Sequence, residues 1–175
     1  NISNNYHRTE AFHLKIEHIL AIYKNQINKY FSNIEIFNIF KKNKRILLFL
    51  FNEKILNFDQ QILKKISNKK YDQYCYCQYF RPEIKALTNC KRKSRIDLEK
   101  FEEKRRIGEN DLRVCELIRN DSIKEFIIFV NKTNLSLDTK IEPSIFETNS
   151  FLIKNKNHSL IEYASFFRAI QIFQY

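Results

Sequence analysis

The amino-acid sequence predicts an all-α fold, and three observations lead to this prediction. Apolar residues recur at steps of three and four along much of the chain, which is the spacing that lines one face of a helix. The 175 residues include one Gly and two Pro, too few for the tight hairpins of a turn-rich all-β fold. Hydrophobic residues make up 43% of the chain and aromatic residues 14%, so a packed core can form.

The first part of the chain is predicted to form short helices that each bury one face. Residues 9–31 carry one apolar stripe at helical spacing, with Thr9 as a candidate N-cap. Residues 46–56 form a strongly apolar segment that predicts a buried helix, and Asp59 can cap the helix that follows. Pro82 suits the first turn of a further short helix. The first stripe consists of Phe12, Ile16, Ile19, Leu20, Tyr23, Ile27, Tyr30 and Phe31.

Residues 91–106, KRKSRIDLEKFEEKRR, form the one block of high charge. Its glutamates lie at helical spacing from its basic residues, so we expect a solvated helix with local ion pairs of about 0.2–0.5 kcal/mol each. An arm built only for nucleic acid would lack those glutamates. The helix should end at Gly108, because glycine adopts the left-handed conformation without steric cost.

A helical hairpin is predicted after this block. Its first helix is capped by Asn110 or Asp111, and its second helix is capped by Asp121 or Ser122. A long connector at 134–158 follows, within which we expect a short helix after Pro143.

The last residues, SLIEYASFFRAIQIFQY (159–175), predict a second hairpin, and they resemble the ankyrin signature T-P-L-H-x-A-A-x-x-G-H. Ser159 stands at the capping Thr, and Ile161 stands at the Leu. Arg168 stands where a Gly would end the first helix in the left-handed conformation, which costs a non-Gly residue about 1–2 kcal/mol. The other matches are Ala164 and Ser165 for the small pair, and Ile172 and Phe173 for the apolar pair.

Three longer segments extend the resemblance: NKRILLFLFNEKIL, IGENDLRVCELIRNDSIKEF, and PSIFETNSFLIKN with the SLIEYASFF that follows it. Together they resemble the N-terminal region, of unknown function, of a large family of protist ankyrin-repeat proteins. The resemblance implies no catalytic residues and implies further ankyrin repeats after Tyr175. Asp121 and Arg168 occupy the same turn position 47 residues apart, and the connector accounts for the excess over the usual ankyrin period of about 33.

The predicted architecture is therefore a helical-hairpin solenoid with degenerate ankyrin-like repeats toward the C-terminus. Residues 1–107 are predicted to form an irregular helical capping region, and residues 108–175 ankyrin-like hairpins cut at their C-terminal edge. Because a repeat buries its apolar face against a neighbour, we expect Ile172, Phe173 and Tyr175 to lie at an uncovered edge. The chain lacks Met even at position 1, so we expect either a fragment of a longer protein or a processed chain.

Composition and motifs do not favour an enzyme. Scarce glycine leaves no Gly-rich phosphate loop, and the four histidines do not pair with a nucleophile and an acid at any local spacing. Cys75 and Cys77 form a C-x-C pair without a nearby His, so we expect reduced thiols, no metal and no cofactor. The longest apolar run, residues 46–51, is far shorter than the roughly 20 residues that cross a bilayer. No secretory signal is visible, so we expect a cytoplasmic protein.

Two functions remain open from the sequence. The first is a non-catalytic protein–protein interaction module whose net charge of +11 favours an acidic protein partner. The alternative is a nucleic-acid-binding module that uses the basic helix 91–106 and the tyrosines of segment 71–79. Nucleic acid is the less favoured partner, because the positive charge is dispersed along the chain.

Overall fold

The computed structural model describes residues 10–68, 75–88, 97–154 and 157–175, and within these ranges it contains thirteen helices and no strand. A single pair of residues within these ranges, Lys140 and Ser159, forms an isolated antiparallel bridge. The all-α prediction is confirmed.

Seven helices precede the charged block 91–106. The other six start with α8, which lies largely within that block, and continue to the end of the chain. The first seven are α1 Glu10–Ile22, α2 Lys24–Tyr30, α3 Asn33–Phe40, α4 Lys44–Asn52, α5 Gln60–Ile66, α6 Tyr76–Tyr79 and α7 Arg81–Thr88. The other six are α8 Leu98–Ile107, α9 Arg113–Arg119, α10 Ile123–Thr133, α11 Ser150–Lys154, α12 Leu160–Phe167 and α13 Ile170–Phe173.

The helix predicted over 9–31 is interrupted at Tyr23, but its hydrogen bonds continue across the interruption. The Tyr23 amide donates to the Ile19 carbonyl at 3.1 Å, and the Ile27 amide donates to the Tyr23 carbonyl at 2.8 Å. Part of the predicted stripe is covered, because Ile16, Leu20 and Ile27 pack against the core, whereas Ile19, Tyr23, Tyr30 and Phe31 are exposed. Thr9 lies outside the described residues.

Helices α3 to α6 build the larger of two apolar clusters, and local caps fix the starts of α3, α4 and α5. The Asn43 side chain accepts the Ile46 amide at 3.0 Å and begins α4. The Asp59 carboxylate accepts the Ile62 amide at 2.9 Å and begins α5, as predicted. The buried residues of this cluster are Ile36, Phe37, Ile46, Leu47, Leu48, Leu50, Ile55, Leu56, Ile62, Ile66, Tyr76, Tyr79, Phe80 and Ile153.

Helix α8 is exposed along its length apart from Phe101 and Arg105, so the described part of the solvated helix predicted over 91–106 is largely confirmed. It begins at Leu98, after the Asp97 N-cap, and it ends as predicted at Gly108, whose φ is 71°; residues 91–96 lie outside the described ranges. Arg105 is fully buried rather than solvated. Its guanidinium pairs with Glu83 at 2.6 Å and with Glu102 at 2.9 Å.

Aromatic rings surround the buried Arg105 as well. The guanidinium carbon lies 5.2 Å from the Tyr79 ring centre, 5.9 Å from that of Phe80 and 5.7 Å from that of Phe101. The Tyr79 hydroxyl also donates to the Arg105 carbonyl at 3.1 Å. Carboxylates and ring faces together offset part of the lost hydration of the cation.

Thr148 of the connector forms hydrogen bonds with the C-terminal end of α8. The Thr148 amide and hydroxyl both donate to the Gly108 carbonyl, at 3.0 and 2.7 Å. A side chain at position 108 would meet the Thr148 methyl group at 3.2 Å. Gly108 is therefore required both by its positive φ and by this close contact.

The short helix predicted after Pro143 is wrong. Ser144 instead accepts the Phe146 amide at 3.1 Å and closes a turn. The helix of the connector, α11, starts at Ser150 because Asn149 accepts the Phe151 amide at 2.8 Å. The chain before and after α11 is joined by hydrogen bonds from the Ile141 amide to the His158 carbonyl and from the Leu160 amide to the Thr139 carbonyl.

The two predicted hairpins are present, and their helices start at equal spacing. Helices α9 and α12 begin at residues 113 and 160, and α10 and α13 begin at residues 123 and 170, which is 47 residues in each case. The turns match as well: Asp121 has φ 48° and Arg168 has φ 56°. In both turns the amide of the residue after the left-handed one donates to the carbonyl five residues earlier. The distances are 3.0 Å from the Ser122 amide to the Leu117 carbonyl and 2.9 Å from the Ala169 amide to the Ala164 carbonyl.

The hairpins form the second apolar cluster, in which α9 packs on α12. Whether a domain boundary lies between residues 107 and 108 stays a prediction. The buried residues of this cluster are Val114, Cys115, Leu117, Ile118, Phe126, Val130, Ile141, Leu152, Leu160, Tyr163, Ala164, Ala169 and Ile172.

Replacing Gly108 by Ala should lower the free energy of unfolding by about 1–3 kcal/mol, because the variant adds left-handed strain and a tight contact with Thr148. Urea unfolding followed by circular dichroism measures the loss. Gly108→Asn is the matched control, since Asn tolerates the left-handed conformation and should lose less. Equal stability of wild type and Gly108→Ala would contradict the assigned role of Gly108.

Candidate interaction surface

The turn of the first hairpin is bonded to the start of the last helix. One Asp121 carboxylate oxygen accepts the Gln171 amide at 3.2 Å, and the other accepts the Ile172 amide at 3.1 Å. Helix α13 has no side-chain cap from its own N-cap residue, Ala169. Asp121 therefore supplies from the neighbouring hairpin the negative charge that a helix N-terminus favours.

Arg119 provides a second polar contact between the two hairpins, in addition to the one made by Asp121. Its Nε pairs with a Glu109 carboxylate oxygen at 2.6 Å. Its Nη1 donates to the Asn110 carbonyl at 2.8 Å and to the Tyr163 hydroxyl at 3.0 Å. These bonds fix the first helix of one hairpin against the first helix of the other.

Cys115 and Tyr163 are buried between the hairpins. Burial raises the pKa of the Cys115 thiol to about 12, and Glu147 adds to the shift while Arg119 opposes it. Burial likewise raises the pKa of the Tyr163 hydroxyl. The Cys115 thiol therefore stays protonated and serves as a small apolar side chain.

A groove of about 590 Å³ runs beside Arg119. Ion pairs hold its walls: Arg119 with Glu109, Lys104 with Asp111 at 2.7 Å, and Arg45 with Glu17 at 3.4 Å. The charged side chains of the groove are thus of both signs, and apolar side chains lie between them. Its lining residues are His13, Arg45, Glu103, Lys104, Ile107, Glu109, Asp111, Glu116, Arg119, Asn120 and Phe167.

An apolar edge of the second hairpin is formed by Ile170, Phe173 and Tyr175, and the Tyr175 ring also packs edge-on against Phe126 of the first hairpin, with 6.3 Å between ring centres. The side chains of Ile170, Phe173 and Tyr175 are 61%, 52% and 52% exposed. Ile172 was predicted to lie at this edge and does not: it is buried, because it points back into the cluster between the hairpins. Arg168 lies exposed in the turn that precedes the edge.

The structure removes part of the predicted nucleic-acid site. Tyr76 and Tyr79 are buried in the core, so these two tyrosines do not offer ring faces to a base; Tyr71 and Tyr74 lie outside the described residues. Of the C-x-C pair, the exposed Cys77 donates its thiol to the Ile66 carbonyl at 3.6 Å. In the described ranges no group of three metal-ligating side chains comes together.

Sequence reasoning missed the buried Lys44. Its ammonium donates to the Ile145 carbonyl at 2.6 Å and lies 4.9 Å from the Tyr79 ring centre. Burial lowers the pKa of Lys44 to about 8, against the opposing attraction of Glu147. The signal was Asn43, whose side chain can cap the apolar helix and so places Lys44 in its first turn.

A small cavity adjoins Lys44 and is also lined by Cys75, Ser144, Glu147 and His158. Its volume is about 50 Å³, which is room for a few water molecules and not for an organic substrate. The Ser144 hydroxyl is engaged, since it donates to Asp111 at 2.7 Å. The cavity thus adjoins a buried polar cluster.

No protein-family model matches the chain, and comparison with curated proteins and with solved structures gives no match. None of the helices in the described part of the chain has both the length and the apolar character needed to cross a bilayer.

Replacing Lys44 by Met should change how stability depends on pH. The folded-state pKa of Lys44 is lowered to about 8 from its ordinary 10.5, so between these values the unfolded chain binds more protons and wild-type stability rises with pH. We expect the wild type to gain about 2 kcal/mol relative to Lys44→Met between pH 7 and pH 9.5. Urea titrations of both proteins at each pH measure the difference.

Subtracting the stability–pH curve of Lys44→Met from that of the wild type removes the contribution of Cys115. The raised pKa of Cys115 makes stability fall as pH rises, which is opposite to the effect of Lys44. A difference that stays constant with pH would contradict a buried, titrating amine at position 44.

Proposed function

We propose that this chain is a non-catalytic protein–protein interaction module built from stacked helical hairpins of the ankyrin type. The observation that carries the proposal is the repeated hairpin. The helices of the two pairs start 47 residues apart, a residue in the left-handed conformation occupies the same turn position in each, and the same backbone hydrogen bond closes each turn. Recurring hairpins that pack side by side are typical of proteins that bind other polypeptides on an extended surface.

The groove beside Arg119 is the proposed binding surface. Paired charges on its walls hold the side chains in place before a partner arrives, which reduces the entropy lost on binding. The mixed signs suit a polar peptide, and the net charge of +11 speeds encounter with an acidic one. The proposed location is the cytoplasm, where Cys77 would stay a free thiol.

The apolar edge is proposed to receive a further hairpin. In the observed pair, Asp121 of one turn accepts amides at the start of the next hairpin's second helix. Arg168 holds the equivalent turn position in the second hairpin, and its positive charge is unfavourable beside a helix N-terminus. A next hairpin that stacks in the same manner must therefore tolerate Arg168 or place a carboxylate beside it.

Peptide selection tests the proposed groove. Random peptides displayed on phage and selected on the chain should enrich polar sequences that carry charges of both signs, which should then bind in solution with micromolar Kd. Asn120 lines the groove, so Asn120→Trp should weaken binding at least about tenfold, a loss of about 1.4 kcal/mol. Asn131→Trp, at an exposed position of α10, is the matched control.

Failure to enrich any peptide, or equal effects of Asn120→Trp and Asn131→Trp, would contradict the groove as a binding surface.

The proposed edge is tested by extending the chain. A copy of residues 129–175 placed directly after Tyr175 continues the 47-residue spacing and adds one hairpin. The added hairpin should raise the urea midpoint and the m value, because it buries the edge. The same extension with Ile170→Ser and Phe173→Ser should unfold in two steps.

Arg168→Asp should stabilise the extended chain by about 1 kcal/mol more than it stabilises the original chain, because only the extended chain offers a helix N-terminus to cap. Equal effects in both chains would mean that the added hairpin does not stack as the first two do.

The nucleic-acid alternative keeps support from the exposed cations of α8, Lys100 and Arg106, and from the net charge. Burial of Tyr76 and Tyr79 weakens it. Binding of a single-stranded RNA that falls steeply between about 50 and 200 mM salt would favour this alternative over the peptide-binding proposal.

A further inference from the structure

The outward face of α1 and α2 carries large apolar side chains that nothing in the described structure covers. These helices contact the core through Ile16, Leu20 and Ile27, and no residue of α2 is buried. On the outward face, Ile19, Ile22, Tyr23 and Tyr30 are 54%, 58%, 54% and 69% exposed. Because the hydrogen bonds continue through Tyr23, these side chains form one surface, which we term the outer helix face.

Helical geometry aligns the outer helix face along its length. At about 100° per residue, positions 15, 19, 22, 23, 29 and 30 lie within about 120° of one another. From Lys15 to Tyr30 the face extends over about 24 Å. It is therefore long enough to rest on a broad flat surface.

The charges on this face all have one sign. Lys15 and Lys29 are exposed beside the apolar residues, and the Lys29 ammonium lies 5.3 Å from the Tyr30 ring centre. Glu17 is the one carboxylate between residues 13 and 31, and it points inward to Arg45 at 3.4 Å. The face thus combines isoleucine, tyrosine and lysine without an exposed acid.

We propose that the outer helix face binds the surface of an anionic lipid bilayer, with α1 and α2 lying parallel to it. Isoleucine side chains enter the boundary of the acyl chains, and tyrosine rings sit at the level of the headgroups. Lysines attract the negative headgroups, and each contributes about a fivefold gain in binding.

Other occupants fit this face less well. A second copy would bring lysine against lysine between two chains of net charge +11, and that repulsion opposes pairing. Nucleic acid would satisfy the lysines but would leave Ile19 and Ile22 in water, because phosphates offer no apolar surface. The lipid surface is the occupant that uses both kinds of side chain, and this inference does not depend on the proposed peptide groove.

The absence of Trp from the chain allows a direct fluorescence test. Ile22→Trp places a single fluorophore on the outer helix face, and Ile128→Trp, at a position of α10 that is 66% exposed, is the matched control. Vesicles of phosphatidylcholine that contain phosphatidylserine as the anionic lipid should shift the emission of the Ile22→Trp variant to shorter wavelength and leave the control emission unchanged. Pure phosphatidylcholine vesicles should shift neither.

Sedimentation with the same vesicles measures affinity. Lys15→Glu with Lys29→Glu should weaken binding at least about 25-fold, following about fivefold per lysine. Lys124→Glu with Lys132→Glu changes the net charge equally at exposed positions of α10 and should have much less effect. Ile19→Ser with Tyr23→Ser should also weaken binding, and circular dichroism confirms that each variant is folded.

Three results would overturn the proposal. The first is absence of vesicle binding at low salt. The second is equal weakening by the two lysine pairs, which would mean attraction by net charge alone. The third is a wild-type dimer in sedimentation velocity that Ile19→Ser with Tyr23→Ser makes monomeric, which would assign the face to a second copy.

Discussion

The buried guanidinium of Arg105 is the interaction on which the middle of the molecule depends. It joins α6, α7 and α8 through two carboxylates and three aromatic rings. Removing one partner of such a buried cation costs about 3–5 kcal/mol, because the charge stays behind without compensation. Three residues later, Gly108 ends the helix and accepts both bonds from Thr148. The position of α8 thereby sets the path of the connector that reaches the second hairpin.

The sequence was informative where a short segment decides its own conformation. The ends of α8 and α12 and the cap at Asp59 depend on neighbours within a few residues, and the structure has them as predicted. Arg168 adopts the left-handed conformation although it is not glycine. Periodicity also identified the helices, because it reports which side chains share a face. It does not report whether another helix covers that face, so the exposure of Ile19 and Tyr23 could not be read from it.

Buried charge was the main feature that sequence reasoning could not reach. Lys44 and Arg105 occur in basic segments that look solvated, and their burial depends on partners distant in sequence, such as Ile145 and Glu83. The candidate surface was likewise predicted from the sequence only in part. Phe173 and Tyr175 at the edge were predicted from the hairpin pattern, whereas the groove joins residues of the N-terminal helices to the hairpins. The ankyrin resemblance stays a prediction.

The alkylation rate of a buried cysteine reports how often the two hairpins separate. Cys115 is completely enclosed between the two hairpins, whereas Cys77 lies at the surface. An alkylating reagent meets Cys77 at once but reaches Cys115 only when the hairpins separate, since a thiol that is both shielded and protonated does not react. The rate at which Cys115 is modified therefore counts how often α9 and α12 part, in a chain that remains folded elsewhere.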